Sequence, residues 1–344
     1  ARVDLDAIEQ NYLMLCRAAG DAEVAGVVKG NAYGHGLTQV AHTLAEAGAK
    51  NFAVATVEEG VALRTDGIRG RIIILGTLLP WQADEVVACR LSPAVCTPAA
   101  VCALERAALH AGVTACAHLA IDTGMHRIGV REDKDITAML DTFTACPHVK
   151  MEGLFSHFAA ADGNVMFTNL QINRFRSVWF EADRRGFKPI KHIANSSGML
   201  RFELAQFDLV RPGIALYGYP PGYATYYYSD PMTLTVPPQA TAPPPGPRPR
   251  SLRLRFPTTT AHLSVSQRAA VLRKAMYPAD RPDRPRTPYP RPEVRPADFR
   301  PALSLHSCVV FLQMADAGDT VGYASNYILP RDTRIATVPI GYAD

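Results

Sequence analysis

The sequence predicts an α/β chain: a (β/α)8 TIM barrel over residues 1–218, followed by the start of a C-terminal β-domain. Three observations predict it. Upstream of Tyr217, eight short runs rich in β-branched residues alternate with amphipathic stretches of helical period, the pattern of a parallel sheet with crossover helices. These elements fill about 215 residues, and such barrels usually span ~200–250. A doubly wound sheet, the competing architecture, wants a glycine fingerprint after its first strand. The stretch Lys29-Gly30-Asn31-Ala32-Tyr33-Gly34-His35-Gly36 is not G-x-G-x-x-G.

In chain order, the expected strands cover 25–30, 52–56, 71–76, 91–96, 115–122, 149–157, 188–196 and 207–213. Helix-like segments between them include 37–49, 57–67, 98–112 and 167–186. The last has apolar positions near 3.6 spacing and closes on Gly186, a good helix stop. Residues 304–313, 319–327 and 333–342 read as short strands, with breaks at 317–319 and at Pro330-Arg331-Asp332. That is the opening of a β-domain with too few strands to close a sheet, and it stops at Asp344. The chain also starts at Ala1 and not at Met, so it reads as cut short.

Residues 219–300 differ from the rest. They hold twelve Arg and one Lys against four Asp and one Glu, so the net charge of +4 originates there. Such density of Pro and Arg cannot sustain helices or sheet ladders, and the segment reads as a disordered insertion. No aromatic or glycine repeat accompanies its arginines, which speaks against nucleic-acid binding. A hydrophobic content of 48% is enough for a large core. No run of about 18 apolar residues suggests a membrane span. Seven cysteines without a C-x-x-C pair exclude a zinc ribbon or a disulfide framework and favour a reducing cytoplasm. His35, His118 and His126 lack ligand-like spacing with Cys or carboxylates, so no metal is expected.

Barrel enzymes carry their chemistry at the C-terminal ends of strands. Lys29 and Tyr33 follow strand one, Asp122 to Arg127 strand five, Ser156 and His157 strand six, Asn195 and Ser196 strand seven, and Arg211 and Gly213 strand eight. A lysine ending an apolar strand near other cations has a depressed pKa and is nucleophilic; the bland alternative is a lysine snorkelling at the rim. Ser196 and the Arg211-Pro212-Gly213-Ile214 turn lie where barrels often bind phosphate on backbone N–H groups. A nucleophilic lysine beside a phosphate cup suggests pyridoxal 5'-phosphate (PLP). His157 and His192 could equally be core histidines, and Asp122 is expected to brace the loop around Arg127.

VVKGNAYGHG, IDTGMHRIGV, GLFSHFAAAD, HIANSSG, DLVRPGIALYG, VGYASNY and IATVPIGYAD stand in this order in the chain. Together they resemble the motif series of the alanine racemases. The resemblance covers nearly all of 1–218 and 301–344. It implies a PLP-dependent isomerase that interconverts L- and D-alanine for the cell wall, working as a cytoplasmic head-to-tail homodimer. Serine or broader amino-acid racemisation, or an inactive PLP-binding fragment, are the neighbouring readings.

By the same resemblance, Lys29 holds PLP covalently, while Tyr33, Ser196 and the backbone of Gly213 and Ile214 hold its phosphate, beside Asn195. Arg211 donates to the pyridine nitrogen and His192 supports it. Arg127 faces the phenolic oxygen and the substrate carboxylate, a bidentate task. Lys29 and Tyr323 are the two bases, Tyr323 coming from the partner subunit and activated by His157. Tyr342 lines the substrate entrance. Three departures stand out. Ala120 occupies a position where many members have a lysine, residues 219–300 replace a short linker, and the late C-terminal strands are absent.

Overall fold

Short apolar runs do become eight parallel strands, but shorter ones than the sequence suggests. The computed structural model describes residues 2–131, 133–220, 298–304, 311–318, 320–321 and 327–337. The strands are β1 (Glu23–Val27), β2 (Asn51–Val54), β3 (Arg71–Thr77), β4 (Ser92–Val95), β5 (Ala115–Ala120), β6 (Val149–Phe155), β7 (Ile190–His192) and β8 (Leu209–Val210). Hydrogen bonding runs β7-β6-β5-β4-β3-β2-β1-β8, all parallel. The β7/β8 seam is drawn together by Asp208 N donating to Lys191 O (3.1 Å) and Arg211 N to Ala194 O (2.9 Å). The sheet is thus a nearly closed barrel.

Helix α1 (Leu5–Ala19) precedes β1, and α2 (Leu37–Glu46), α3 (Val57–Thr65), α4 (Ala83–Ala88), α5 (Pro98–Ala111), α6 (Asp133–Ala145), α7 (Val165–Arg184) and α8 (Ser196–Arg201) fill the crossovers. Their ends follow local chemistry. Thr56, Thr97, Asn164 and Asn195 each accept a backbone N–H three residues on, as N-caps do. Pro98 follows its cap at the first helical position, where no N–H is missed.

Three sequence expectations need correction. The first strand ends at Val27 and not at residue 30, because Gly30 to Tyr33 turn left-handed. The strands expected over 188–196 and 207–213 shrink to three and two residues, the second stopping before Pro212, which has no N–H for a ladder. Helix α1 was not among the named segments, although Ala7, Ile8, Asn11, Tyr12 and Leu15 make one buried stripe.

Small and aliphatic side chains fill the barrel: Ala25, Val27, Ala53, Ile73 and Leu209 in one cluster, Ala94, Ala120 and Phe155 in another. Among them lies a polar line. His192 Nε2 is 2.7 Å from His118 Nδ1, and His118 Nε2 is 3.2 Å from Glu152 Oε2. Ser92 Oγ donates to Glu152 at 2.6 Å, and Arg71 Nε lies 3.1 Å from it. Burial lowers the pKa of both imidazoles, against the pull of Glu152 on His118, so both are neutral.

Asn11 ties the barrel's last turn to the chain's later return. Its Nδ2 donates to Leu216 O (3.1 Å) and Arg300 O (2.9 Å), and its Oδ1 accepts from Arg300 N (3.1 Å). Ala302 N donates to Tyr217 O at 3.2 Å, so the chain that leaves after Gly218 is back beside it by Arg300. The segment 219–300 expected to be a disordered insertion lies, but for its ends, outside the described residues.

Residues 1–4 and 303–344 form a second compact unit, distinct from Leu5–Ala302. In it Arg2–Val3 pairs with Leu303–Ser304, Phe311–Ala315 with Thr333–Thr337, and Thr320–Val321 with Tyr327–Ile328, all antiparallel. Asp332 Oδ1 accepts from Ala317 N at 2.9 Å to close the turn.

Two outcomes follow. Asn11→Leu leaves buried backbone groups unpaired and should lower stability by about 2–4 kcal/mol in urea unfolding. Acid should act through His118 and His192. Their folded pKa values are depressed, so below ~6.5 the unfolded chain binds protons that the folded chain does not. Stability should be level above pH 7.5 and fall as pH drops below about 6.5, with the neutral His157 adding to the loss. Glu152, whose folded pKa is also depressed, extends the loss as pH falls further. A stability level down to pH 5.5 would show that the imidazoles carry protons in the fold.

Candidate active site

Lys29 sits directly after β1, on a backbone that is unusual. Gly30, Asn31, Ala32 and Tyr33 all have positive φ (62°, 53°, 56° and 53°), a full left-handed turn. Each non-glycine residue there costs about 1–2 kcal/mol. The offset comes from Glu59 of α3. Its Oε1 accepts from Gly30 N (2.6 Å) and Asn31 N (3.4 Å), and its Oε2 from Ala55 N (2.8 Å). Asn31 Oδ1 accepts from Leu37 N at 2.8 Å, fixing the turn to the start of α2. Glu59 was missed in the sequence reading. Its signal is Thr56-x-x-Glu59, the spacing of a capping box, with the carboxylate diverted to the lysine's own turn.

Two cavities meet at Lys29 and His157. The larger, about 230 Å³, is bordered by Ala120, Asp122, Met125 and Arg127. The smaller, about 150 Å³, is bordered by Tyr33, Asn195, Ser196, Arg211, Gly213 and Ile214. Lys29 Nζ lies 5.9 Å from the centre of the Tyr33 ring. A Cβ on Gly213 would come within 2.6 Å of the Tyr33 hydroxyl, so the phenol uses the space that glycine leaves. Ser196 Oγ accepts from Gly213 N (3.1 Å) and Ala215 N (3.2 Å), which orients the turn after β8. Asn195 spends its Oδ1 on capping α8 through Gly198 N, at 2.9 Å.

Arg211 lies below the smaller cavity, 3% exposed. Its Nη1 donates to His192 Nδ1 at 2.6 Å, and its Nη2 to Ser156 O (2.7 Å) and Ile193 O (3.4 Å). Phe155 stacks on His192 at 5.1 Å and lies 5.4 Å from the guanidinium. Arg211 Nε is buried without a hydrogen-bond partner. Burial and then Arg127 lower its pKa to about 9, still above neutrality, so the guanidinium is cationic.

Positive charge dominates the site's electrostatics. Burial lowers the Lys29 pKa, Arg127 and Arg211 lower it further, and Glu59 opposes them. His157 is pushed down to about 3 by burial, then by Arg211, Arg127 and Lys29, so it is a neutral imidazole. The Asp122 brace is present: Oδ1 accepts from Gly124 N (2.9 Å) and His126 N (3.0 Å), and Oδ2 faces His126 Nδ1 at 3.0 Å. Gln171, fully buried and also missed, joins the loops after β5 and β6. Its Oε1 accepts from Ala159 N, and its Nε2 donates to Thr123 Oγ1 and His157 O, each at 3.0 Å. A buried glutamine on a helix's apolar face was the available signal.

Lys29, Tyr33, Arg127, His157, Asn195, Ser196, Arg211, Gly213 and Ile214 are therefore gathered around two adjoining cavities, with His192 behind Arg211. Tyr323 and Tyr342 lie outside the described residues. Among those residues no group of three or more His, Cys, Asp or Glu side chains could hold a metal ion. None of their helices is long and apolar enough to cross a membrane.

The chain as a whole resembles known proteins. Residues 3–221 match the alanine racemase N-terminal domain, and residues 302–344 match the C-terminal domain. Alanine racemase of Geobacillus stearothermophilus is 33% identical over 347 residues, covering 100% of this chain and 71% of that protein. That of Syntrophobacter fumaroxidans is 31% identical, covering 99% and 73%. Among solved structures, alanine racemase from Streptomyces lavendulae superimposes with a TM-score of 0.72 at 30% identity, covering 99% of this chain and 73% of that one. The Bacillus anthracis enzyme with bound L-Ala-P gives 0.71 at 29% identity, covering 99% and 72%. With its barrel, its lysine turn and both domain matches in register, the chain belongs to the alanine racemase family.

Proposed function

We propose that this chain racemises alanine with PLP held at Lys29 and with Lys29 and Tyr323 as the two bases. The observation that carries the cofactor reading is Arg211 Nε, a buried donor with no partner among the described residues, on a residue that borders the smaller cavity. A pyridine nitrogen supplies the acceptor it lacks. The other residues fit the same group. Lys29 offers an amine with a depressed pKa, and Tyr33, Ser196 and the turn at Gly213 and Ile214 offer polar groups for a phosphate.

Bound PLP draws electrons from the Cα of an attached amino acid and so makes its proton labile. The chain's own groups decide the outcome. Arg211 donates a hydrogen bond but keeps its own proton, so the ring nitrogen stays unprotonated and a weaker electron sink. This favours return of the proton to Cα over further chemistry. Arg127 is the bidentate partner for the substrate carboxylate. Lys29 moves the proton on one face. Tyr323, supplied by the partner subunit of a homodimer, moves it on the other, and the neutral His157 is the acceptor that activates it. Tyr342 narrows the entrance so that a small amino acid is selected. The D-alanine made this way serves peptidoglycan in the cytoplasm. Residues 219–300, apart from the end at Phe299 and Arg300 that returns beside Asn11, stand outside this machinery as a dispensable insertion between barrel and β-domain.

Two measurements test the reading. PLP added to the full chain should give the visible absorbance of a cofactor bonded to an amine, and borohydride should fix it to Lys29. Lys29→Ala should abolish both, and labelling at another residue would overturn the assignment. Tyr323→Phe should reduce racemisation in both directions by ~10²–10⁴-fold. Solvent deuterium should then enter Cα from one enantiomer only. Mixing inactive Lys29→Ala and Tyr323→Phe chains should restore activity, since one site of a heterodimer has both bases. No recovery despite proven subunit exchange would place Tyr323 elsewhere.

A further inference from the structure

The polar line inside the barrel starts at Arg211 and ends far from it in chain and function. From Arg211 Nη1 it passes to His192 Nδ1 (2.6 Å), from His192 Nε2 to His118 Nδ1 (2.7 Å), and from His118 Nε2 to Glu152 Oε2 (3.2 Å). Glu152 borders a different cavity, about 440 Å³, with Ser92, Ala115 and Cys116 at the N-terminal ends of β4 and β5. The line thus crosses the barrel from the site's mouth to the opposite one.

Its direction follows from the groups at its ends. A guanidinium has donors only, so His192 Nδ1 is a lone pair and the His192 proton sits on Nε2. That proton makes His118 Nδ1 the acceptor and leaves the His118 proton on Nε2, facing Glu152. An ionised carboxylate only accepts. Burial raises the Glu152 pKa, but His118, Arg71 and the Ser92 hydroxyl more than reverse this, and the group stays ionised. With both imidazoles neutral, reversing either one sets two donors face to face somewhere along the line.

Two backbone features make room for it. The β5/β6 register slips by one residue, with Ala117 opposite Met151 and His118 opposite Gly153, so Glu152 has no strand partner. Such bulges re-aim side chains. At Gly153 a Cβ would run into the His118 ring. His118 and His192 are both fully buried.

We infer that Glu152 is a positioning residue for Arg211: it accepts the proton that the line leaves on His118 Nε2, so both ends of the line demand the same tautomers and His192 Nδ1 stays the guanidinium's acceptor. The effect on cofactor affinity rests on the PLP reading above; the tautomers do not.

The test is nitrogen-15 NMR of the histidines in the full chain, with and without PLP. His118 and His192 should each show a single Nε2–H tautomer. An Nδ1–H form or a mixture at either one in the unmodified protein overturns the inference, with no variant needed. Glu152→Leu leaves the buried His118 Nε2 proton without an acceptor, so His118 should become mixed, losing its bond to His192 in the reversed form, and PLP should bind about tenfold more weakly. Glu152→Gln keeps an acceptor oxygen and should hold both tautomers, with affinity within about threefold. Unchanged tautomers in Glu152→Leu, or equal losses in the two variants, would refute the role. If the unmodified chain takes up no PLP, the cofactor reading fails, and the tautomers still decide this inference.

Discussion

A buried guanidinium without a carboxylate partner governs the arrangement around it. Among the described residues Arg211 is met only by neutral acceptors: one imidazole nitrogen and two backbone carbonyls. An isolated buried charge is expensive unless its hydrogen bonds are made. Leaving the charge uncompensated has a use, since it adds to what burial already does nearby. Burial first, and then Arg211 with Arg127, keep His157 neutral and draw Lys29 toward its free-amine form. A carboxylate in contact with Arg211 would weaken its share of both effects. The nearest one along the hydrogen-bonded line stands two imidazoles away.

Rigidity under Lys29 comes from a different source. Three non-glycine residues in left-handed conformation persist only where surroundings over-determine them. Here Glu59, Asn31 and the end of β2 do so through five hydrogen bonds of 2.6 to 3.4 Å, two of them from N–H groups of the turn itself. The reversed turn brings Lys29 and the ring of Tyr33, four residues later, to one cavity. Backbone strain is thus exchanged for the placing of two polar groups from one short segment.

How legible this was in the sequence depends on range. The eight strands show because each is a local run of β-branched residues, and the lysine shows because it ends one. Strand ends do not: the stop after Val27 depends on Glu59, thirty residues later, and the two-residue β8 on Pro212 and the seam with β7. Asp122 was readable as a loop brace because its partners lie within four residues. The line from Arg211 to Glu152 was not. Its links join residues 19, 74 and 34 positions apart, and its last member is placed by a register slip that no periodicity announces. His118 looked like an isolated histidine in an apolar strand, and isolated is what the fold prevents.

Ala120 shows how the surroundings of Arg127 are built. It is buried with Ala94 and Phe155, against Leu75, Cys96 and Ile128. This wall of the larger cavity is therefore apolar, and it offers Arg127 no charged brace. What holds the arginine is its loop. Asp122 fixes the backbone at Gly124 and His126, and Gln171 and Arg174 hold Thr123, whose hydroxyl also meets Ser156 at 2.7 Å. The guanidinium itself stays exposed. Orientation rests on the backbone beneath the side chain. A loop anchored at three points can aim an arginine without neutralising it, and the full positive charge remains to attract a carboxylate.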